Sequence, residues 1–268
     1  MITQIKKLHN KNNLMKLIIC FFAISALTAS AQKITITPKF GEDMYHLHLS
    51  TNIRNEGVSE KTIGGFTGGA AFTFRLGRIF SFQPEIMYVT RGISQTDVFT
   101  FPNTNIVNGS ITSNATLSYL EIPLLLKATY KSDKLRVFVN AGPSFSCGLG
   151  GHYKNSAAGI TSNAGNTSGT IFFDYPPSNY NGSSLYFSNT NYDRWDLLFE
   201  AGGGVGYDIG PGTLLLDIRY GIGFVNFETK ENMNTYYAFS TNSPTSANNT
   251  SKYRISSFTI GYALPLVK

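Results

Sequence analysis

The stretch Thr213-Leu214-Leu215-Leu216-Asp217-Ile218-Arg219-Tyr220-Gly221-Ile222-Gly223-Phe224 decides the fold class. Leu214, Leu216, Ile218, Tyr220, Ile222 and Phe224 recur at every second position, and Leu215, Asp217, Arg219, Gly221 and Gly223 fall between them. A β-strand turns successive side chains to opposite faces, so this alternation makes one face greasy and leaves the other polar or small.

The same alternation recurs along the chain. In residues 193–209, Trp195, Leu197, Phe199, Ala201, Val205, Tyr207 and Ile209 oppose Asp196, Glu200, Gly202, Gly204 and Asp208. In 135–149, Val137, Val139, Ala141, Phe145 and Leu149 oppose Arg136, Asn140, Gly142, Ser144 and Ser146. Residues 118–130 set Leu120, Ile122, Leu124, Leu126 and Tyr130 against Glu121, Lys127 and Thr129, and 80–91 set Phe80, Phe82, Ile86 and Tyr88 against Ser81, Gln83 and Glu85. Weaker versions run through 64–76, with Phe66, Phe72 and Phe74 outward, and 252–266, with Phe258, Ile260, Tyr262 and Leu264 outward. A first strand alternates Ile34, Ile36 and Phe40 with Thr35, Thr37 and Lys39, and Pro38 interrupts its donors.

Eight strands result, and their connections alternate in length. Residues 77–78, 131–134 and 210–212 are tight turns, whereas 51–63, 94–115, 151–192 and 228–251 are long and rich in Asn, Ser, Thr and Gly. Short turns at one end and long loops at the other describe an up-and-down, eight-stranded antiparallel transmembrane β-barrel. Backbone amides facing hydrocarbon must all be paired, so such a sheet closes on itself. The expected location is the outer membrane of a Gram-negative bacterium, with outer-membrane lipid as the surrounding partner.

The polar face then points into a narrow lumen filled by its own side chains. The inward charges expected from strand parity are Arg75, Glu85, Glu121, Lys127, Arg136, Glu200, Asp217 and Arg219. Four acids and four bases balance, which favours a paired structural network over a selective channel, because an unpaired buried charge is costly.

Residues 1–31 read as a signal peptide. Lys6, Lys7, Lys11 and Lys16 precede the apolar run Leu17-Ile18-Ile19-Cys20-Phe21-Phe22-Ala23-Ile24, and Ala29-Ser30-Ala31 supplies the small residues before a cleavage point at Gln32. Met15 offers an alternative start. The run is too short to span a membrane as a helix, and Ile19 before Cys20 argues against lipidation. Residues 32–268 form the barrel domain. Four of the chain's 22 bases lie in the leader, leaving 18 against 16 acids, so the basic balance is mostly a property of the leader. There is no basic stripe with interleaved aromatics to suggest nucleic acid. Cys147 is the one cysteine after the leader, which excludes an intramolecular disulfide and a cysteine-based metal site there.

Five stretches carry a family resemblance: Pro38-Lys39-Phe40-Gly41; Phe82-Gln83-Pro84-Glu85-Ile86-Met87-Tyr88 with Arg91-Gly92; Tyr119-Leu120-Glu121-Ile122-Pro123-Leu124-Leu125-Leu126-Lys127; Ala141-Gly142-Pro143; and Asp217-Ile218-Arg219-Tyr220 with Gly223. Together they resemble the PorT-like outer-membrane β-barrel family of Bacteroidetes. The resemblance implies an outer-membrane barrel and leaves its molecular activity open. In the closing strand, Thr259, Gly261, Leu264 and Leu266 resemble the pattern that barrel assembly machineries read during insertion.

No catalytic or metal-binding set is expected, nor is a cofactor. His46, His48 and Ser50 lie near the first loop and His152 at the third; loop-edge polarity explains them more simply than a Ser-His-acid device or a metal site. Gly202-Gly203-Gly204 with Gly206 imitates a phosphate loop, yet no helix follows, and a bending barrel wall accounts for the glycines. The expected function is a structural or interaction role, with envelope protein partners engaged through the long loops. A narrow pore and a rim enzyme acting on lipid are the alternatives.

Overall fold

The computed structural model describes residues 34–49, 59–99, 109–158, 166–173, 194–225 and 251–266. The expected leader, Ser50 and the central parts of the four long connections lie outside them. Nine strands occur among the described residues: β1 (Ile34–Leu49), β2 (Ser59–Arg75), β3 (Phe80–Phe99), β4 (Gly109–Ser132), β5 (Leu135–Ala158), β6 (Thr167–Ile171), β7 (Trp195–Ile209), β8 (Gly212–Gly223) and β9 (Ser251–Pro265).

Eight of them close into an antiparallel ring in the order β1-β2-β3-β4-β5-β7-β8-β9, with β9 returning to β1 from Thr35↔Pro265 to Leu49↔Ser251. The ninth, β6, pairs only with the distal part of β5, from Gly151↔Ile171 to Asn155↔Thr167. It falls within the segment 151–192 that the sequence reads as loop. A bulge explains why: the β4–β5 register shifts between Ser118 and Tyr119, and Gly150 opposite has φ 150°. Before the bulge the even positions of β5 from Phe138 to Gly148 are buried, and beyond it Gly151, Tyr153 and Asn155 are. An extra residue breaks a period of two, and the alternation ceases to be visible across it.

The tight turns occupy the ends foreseen for them. Gly210 takes φ 59° between the paired Ile209 and Gly212, which suits the first position of a two-residue hairpin. Asp133, at φ 50°, does the same between β4 and β5, a conformation Asp tolerates better than most residues. Pro38 leaves a gap in the β1–β9 ladder, which is paired at Ile36↔Leu264 and resumes at Lys39↔Gly261.

Burial is inverted relative to a water-soluble protein. Tyr130 is 71% exposed, Trp195 67% and Ile218 60%, whereas Arg91 is 0% exposed and Glu85 1%. Such a surface is stable only against hydrocarbon, and a closed ring leaves no unpaired strand edge facing it. The apolar belt runs from Phe80 to Tyr88 on β3 and from Leu214 on β8 to Phe224 just past its end, about the 9–11 residues that a tilted strand needs to cross. Hydroxyl-bearing rings sit toward both limits: the Tyr262 hydroxyl donates to the Ile209 carbonyl at 2.8 Å near one, and Tyr88 meets Ser118 Oγ at 2.9 Å near the other. β3, β4 and β5 continue well past the belt, paired as far as Phe99↔Gly109 and Ser110↔Ala158.

Candidate functional site

The interior divides into three storeys, each built by inward positions of strands that are far apart in sequence. At mid-height Lys39 of β1 places Nζ 3.2 Å from Glu85 Oε1 and 3.0 Å from Asp217 Oδ2. Arg219 of β8 donates from Nη1 and Nη2 to the two oxygens of Glu85 at 2.9 and 2.7 Å, also pairs with Asp217, and lies 3.5 Å from Glu200 Oε2. Gln83 Nε2 donates to Glu85 at 2.6 Å, and Asn140 Nδ2 donates to Asp217 at 3.2 Å. A guanidinium bound to both oxygens of one carboxylate is a strong and directional pairing.

Glycine makes the space for these side chains. Gly202 stands opposite Arg219, and Gly204 opposite Asp217, across the β7–β8 ladder. A Cβ on Gly202 would come 2.2 Å from the Ile218 carbonyl oxygen and 2.7 Å from Arg219 Cα. The glycine run is therefore a place where a neighbouring strand and a lumen arginine approach closely.

Toward the long-loop end the lining turns aromatic. The Arg91 guanidinium lies 4.0 Å from the ring centre of Tyr119, 4.9 Å from Tyr253 and 5.4 Å from Tyr45. It also pairs with Glu121, donates to Ser146 Oγ at 2.8 Å and reaches Asp196 Oδ2 at 3.2 Å. Met87, Val89, Leu117 and Leu198 complete this buried layer. A cation over several aromatic faces, away from water, gains more than it would at a surface.

At the short-turn end Asp208 of β7 receives Arg136 through Nε at 2.7 Å and Nη2 at 3.1 Å, together with Lys131 at 2.8 Å and the Thr213 hydroxyl at 2.6 Å.

Of the eight expected lumen charges, Glu85, Glu121, Lys127, Asp217 and Arg219 are buried on the inner wall, and Glu200 is half-buried there. Arg136 belongs to the rim, and Arg75, the last residue of β2, is exposed at the same mouth. The parity of Arg75 is inward, but its position at a strand end puts it outside the packed lumen. Lys39, Asp43, Arg91 and Asp196 also face inward and were not among the expected charges. Parity alone could have found them: Arg91 continues the series Ser81, Gln83, Glu85, and Lys39 was already on the polar side of β1. Thr259 of the closing-strand pattern is buried, and Leu264 and Leu266 point the other way, Leu266 being exposed. His46 and His152 lie on β1 and β5, at opposite sides of the ring, so the structure does not bring them together; the His48 side chain and Ser50 fall outside what is described.

The sequence matches the family model described as outer membrane protein beta-barrel domain over residues 30–229. The chain belongs to that family. It is accordingly a protein of the outer membrane, which agrees with the inverted burial. Similar solved structures include Neisserial surface protein A, at 8% identity and TM-score 0.40, covering 87% of this chain and 97% of that one. The Pseudomonas aeruginosa outer membrane protein OprG is 10% identical with TM-score 0.41, covering 86% and 94%. Ail, the attachment invasion locus protein of Yersinia pestis, solved with the heparin analogue sucrose octasulfate, is 8% identical with TM-score 0.32, covering 87% and 99%. No curated relative matches the sequence.

Proposed function

We propose that this family member is a sealed barrel with a structural or interaction role, rather than a pore or a rim enzyme. One observation carries the reading. At mid-height the Lys39, Glu85, Asp217 and Arg219 cluster spans the ring, and the space left beside it is about 30 Å³, room for no more than a few water molecules. A conducting path would require these charges to part, leaving each without its counter-ion in a poorly hydrated interior.

The working surface in this reading is the sheet that β3, β4, β5 and β6 raise beyond the apolar belt, together with the long connections. About ten residues of β3 extend past Tyr88, which at about 3.3 Å per residue is of order 30 Å along the strand. Exposed Asn114, Thr116, His152 and Lys154 give it a polar outer face suited to an envelope protein partner. Export would follow cleavage after Ala31, and insertion would follow recognition of the closing strand by the barrel assembly machinery. The finer kinship proposed is the PorT-like group of Bacteroidetes. Its support is that the stretches carrying that resemblance supply Lys39, Glu85, Arg91, Glu121, Lys127, Asp217 and Arg219, most of the lumen charges.

Reconstitution in planar bilayers tests the sealed reading. The expected record shows no stable conductance with potassium chloride on both sides. Long-lived, reproducible openings would favour the pore.

A further inference from the structure

The short-turn mouth of the barrel encloses a cavity of about 350 Å³. Five bases line it, Arg75, Arg78, Lys127, Lys131 and Arg136, and no acidic residue does. Arg136 and Lys131 are held by Asp208 at the rim. Arg75, Arg78 and Lys127 make no ion pair among the described residues. Lys127 is the informative member, because it is only 6% exposed. Its Nζ donates to the neutral amide oxygen of Gln83 at 3.1 Å and sits 3.7 Å from the ring centre of Phe138, and no described carboxylate lies within ion-pairing distance of it.

A buried ammonium without a counter-ion is costly, and an anion in the adjoining cavity would supply one. Two further guanidiniums at the mouth add donors in the fork geometry that suits phosphate and carboxylate oxygens, and Thr35 and Thr129 line the same wall. Three uncommitted cations match a dianion with several acceptor oxygens better than a singly charged carboxylate. We propose that this cavity binds a phosphate dianion, presented either as free inorganic phosphate or as a phosphomonoester headgroup of the phosphatidic acid type.

The test uses the whole barrel in a maltoside detergent, which carries no phosphate, at constant ionic strength to hold general screening fixed. It is titrated calorimetrically with inorganic phosphate, with dihexanoyl phosphatidic acid below its micelle concentration, and with acetate. Saturable binding of at least one phosphate ligand is expected, at least tenfold tighter than acetate. Binding of inorganic phosphate identifies a free anion as sufficient; binding of the lipid alone assigns the headgroup. The double variant Arg75→Ala/Arg78→Ala, whose residues are exposed and remote from the packed lumen, should weaken binding at least tenfold while keeping the heat-modifiable band of a folded barrel. Lys127→Gln should weaken it as well, and should it fail to fold the double variant still decides. No saturable binding by either phosphate ligand, acetate binding as tightly, or unchanged affinity in the double variant would each overturn the proposal.

Discussion

Arg219 and Glu85 are 134 positions apart in sequence, and the two guanidinium nitrogens of one meet the two carboxylate oxygens of the other at 2.9 and 2.7 Å. Their strands, β8 and β3, are opposite one another in the eight-membered ring, so the pair is a strut across the barrel. Lys39 and Asp217 brace it on both sides.

The two ends of that strut should behave as a unit. Glu85→Ala leaves Lys39 to Asp217 and leaves Arg219 to Asp217 and the more distant Glu200, and breaking a buried pair costs about 3–5 kcal/mol. Glu85→Gln with Arg219→Met should cost less than the sum of the two single changes, by about 0.5–3 kcal/mol of coupling. Urea midpoints of the detergent-folded variants measure this, and strict additivity would mean that the strut is not a unit.

Arg91 should be irreplaceable by lysine. Its planar head pairs with Glu121, Ser146 and Asp196 while lying over Tyr119, and a compact ammonium cannot present donors in that fork. Arg91→Ala leaves Glu121 and Asp196 without their cation, so the loss should again be about 3–5 kcal/mol, with Arg91→Lys intermediate. Near-ultraviolet circular dichroism should lose its tyrosine bands in Arg91→Ala and keep part of them in Arg91→Lys.

Gly202→Val should prevent closure of β7 against β8, given the 2.2 Å approach to the Ile218 carbonyl oxygen. Ala201→Val, one position along and exposed on the outer face, should fold normally. The electrophoretic shift between heated and unheated samples distinguishes them, and a normal shift for Gly202→Val would show that the strands can move apart there.

Orientation follows from loop length. Protease applied to intact cells should cut within 151–192 and 228–251 and spare 131–134, because the long connections face outward and the tight turns inward. Cleavage confined to 131–134 would invert the arrangement.

Much of this architecture was legible because a strand's period of two is short, and the belt of β7 and β8 repeats it without a break. The interior was legible only where its face is polar. Toward the long loops Tyr45, Val89, Leu117, Tyr119 and Tyr253 are buried inside while the opposite face also carries apolar residues, and two apolar faces erase the contrast that parity depends on. Arg91 sits in that zone and was read as part of a motif. Lys39 and Asp43 were lost for another reason, since Pro38 weakens β1 locally although tertiary pairing on both sides holds the strand. Arg75 shows the converse limit: alternation gives the face of a residue but not its depth. The pairing of Arg219 with Glu85 across the ring follows from closure, which no local pattern encodes.

A nitroxide scan along β8 tests the inside-out arrangement most directly. With Cys147 replaced by serine, single cysteines introduced from position 213 to 223 are spin-labelled in reconstituted vesicles, and their collision rates with oxygen dissolved in the lipid are measured. Rates should be high at 214, 216, 218, 220 and 222 and low at the positions between, with Asp217 and Arg219 among the most protected. A flat profile, or high rates at 217 and 219, would contradict a lipid-facing belt wrapped around a charged lumen.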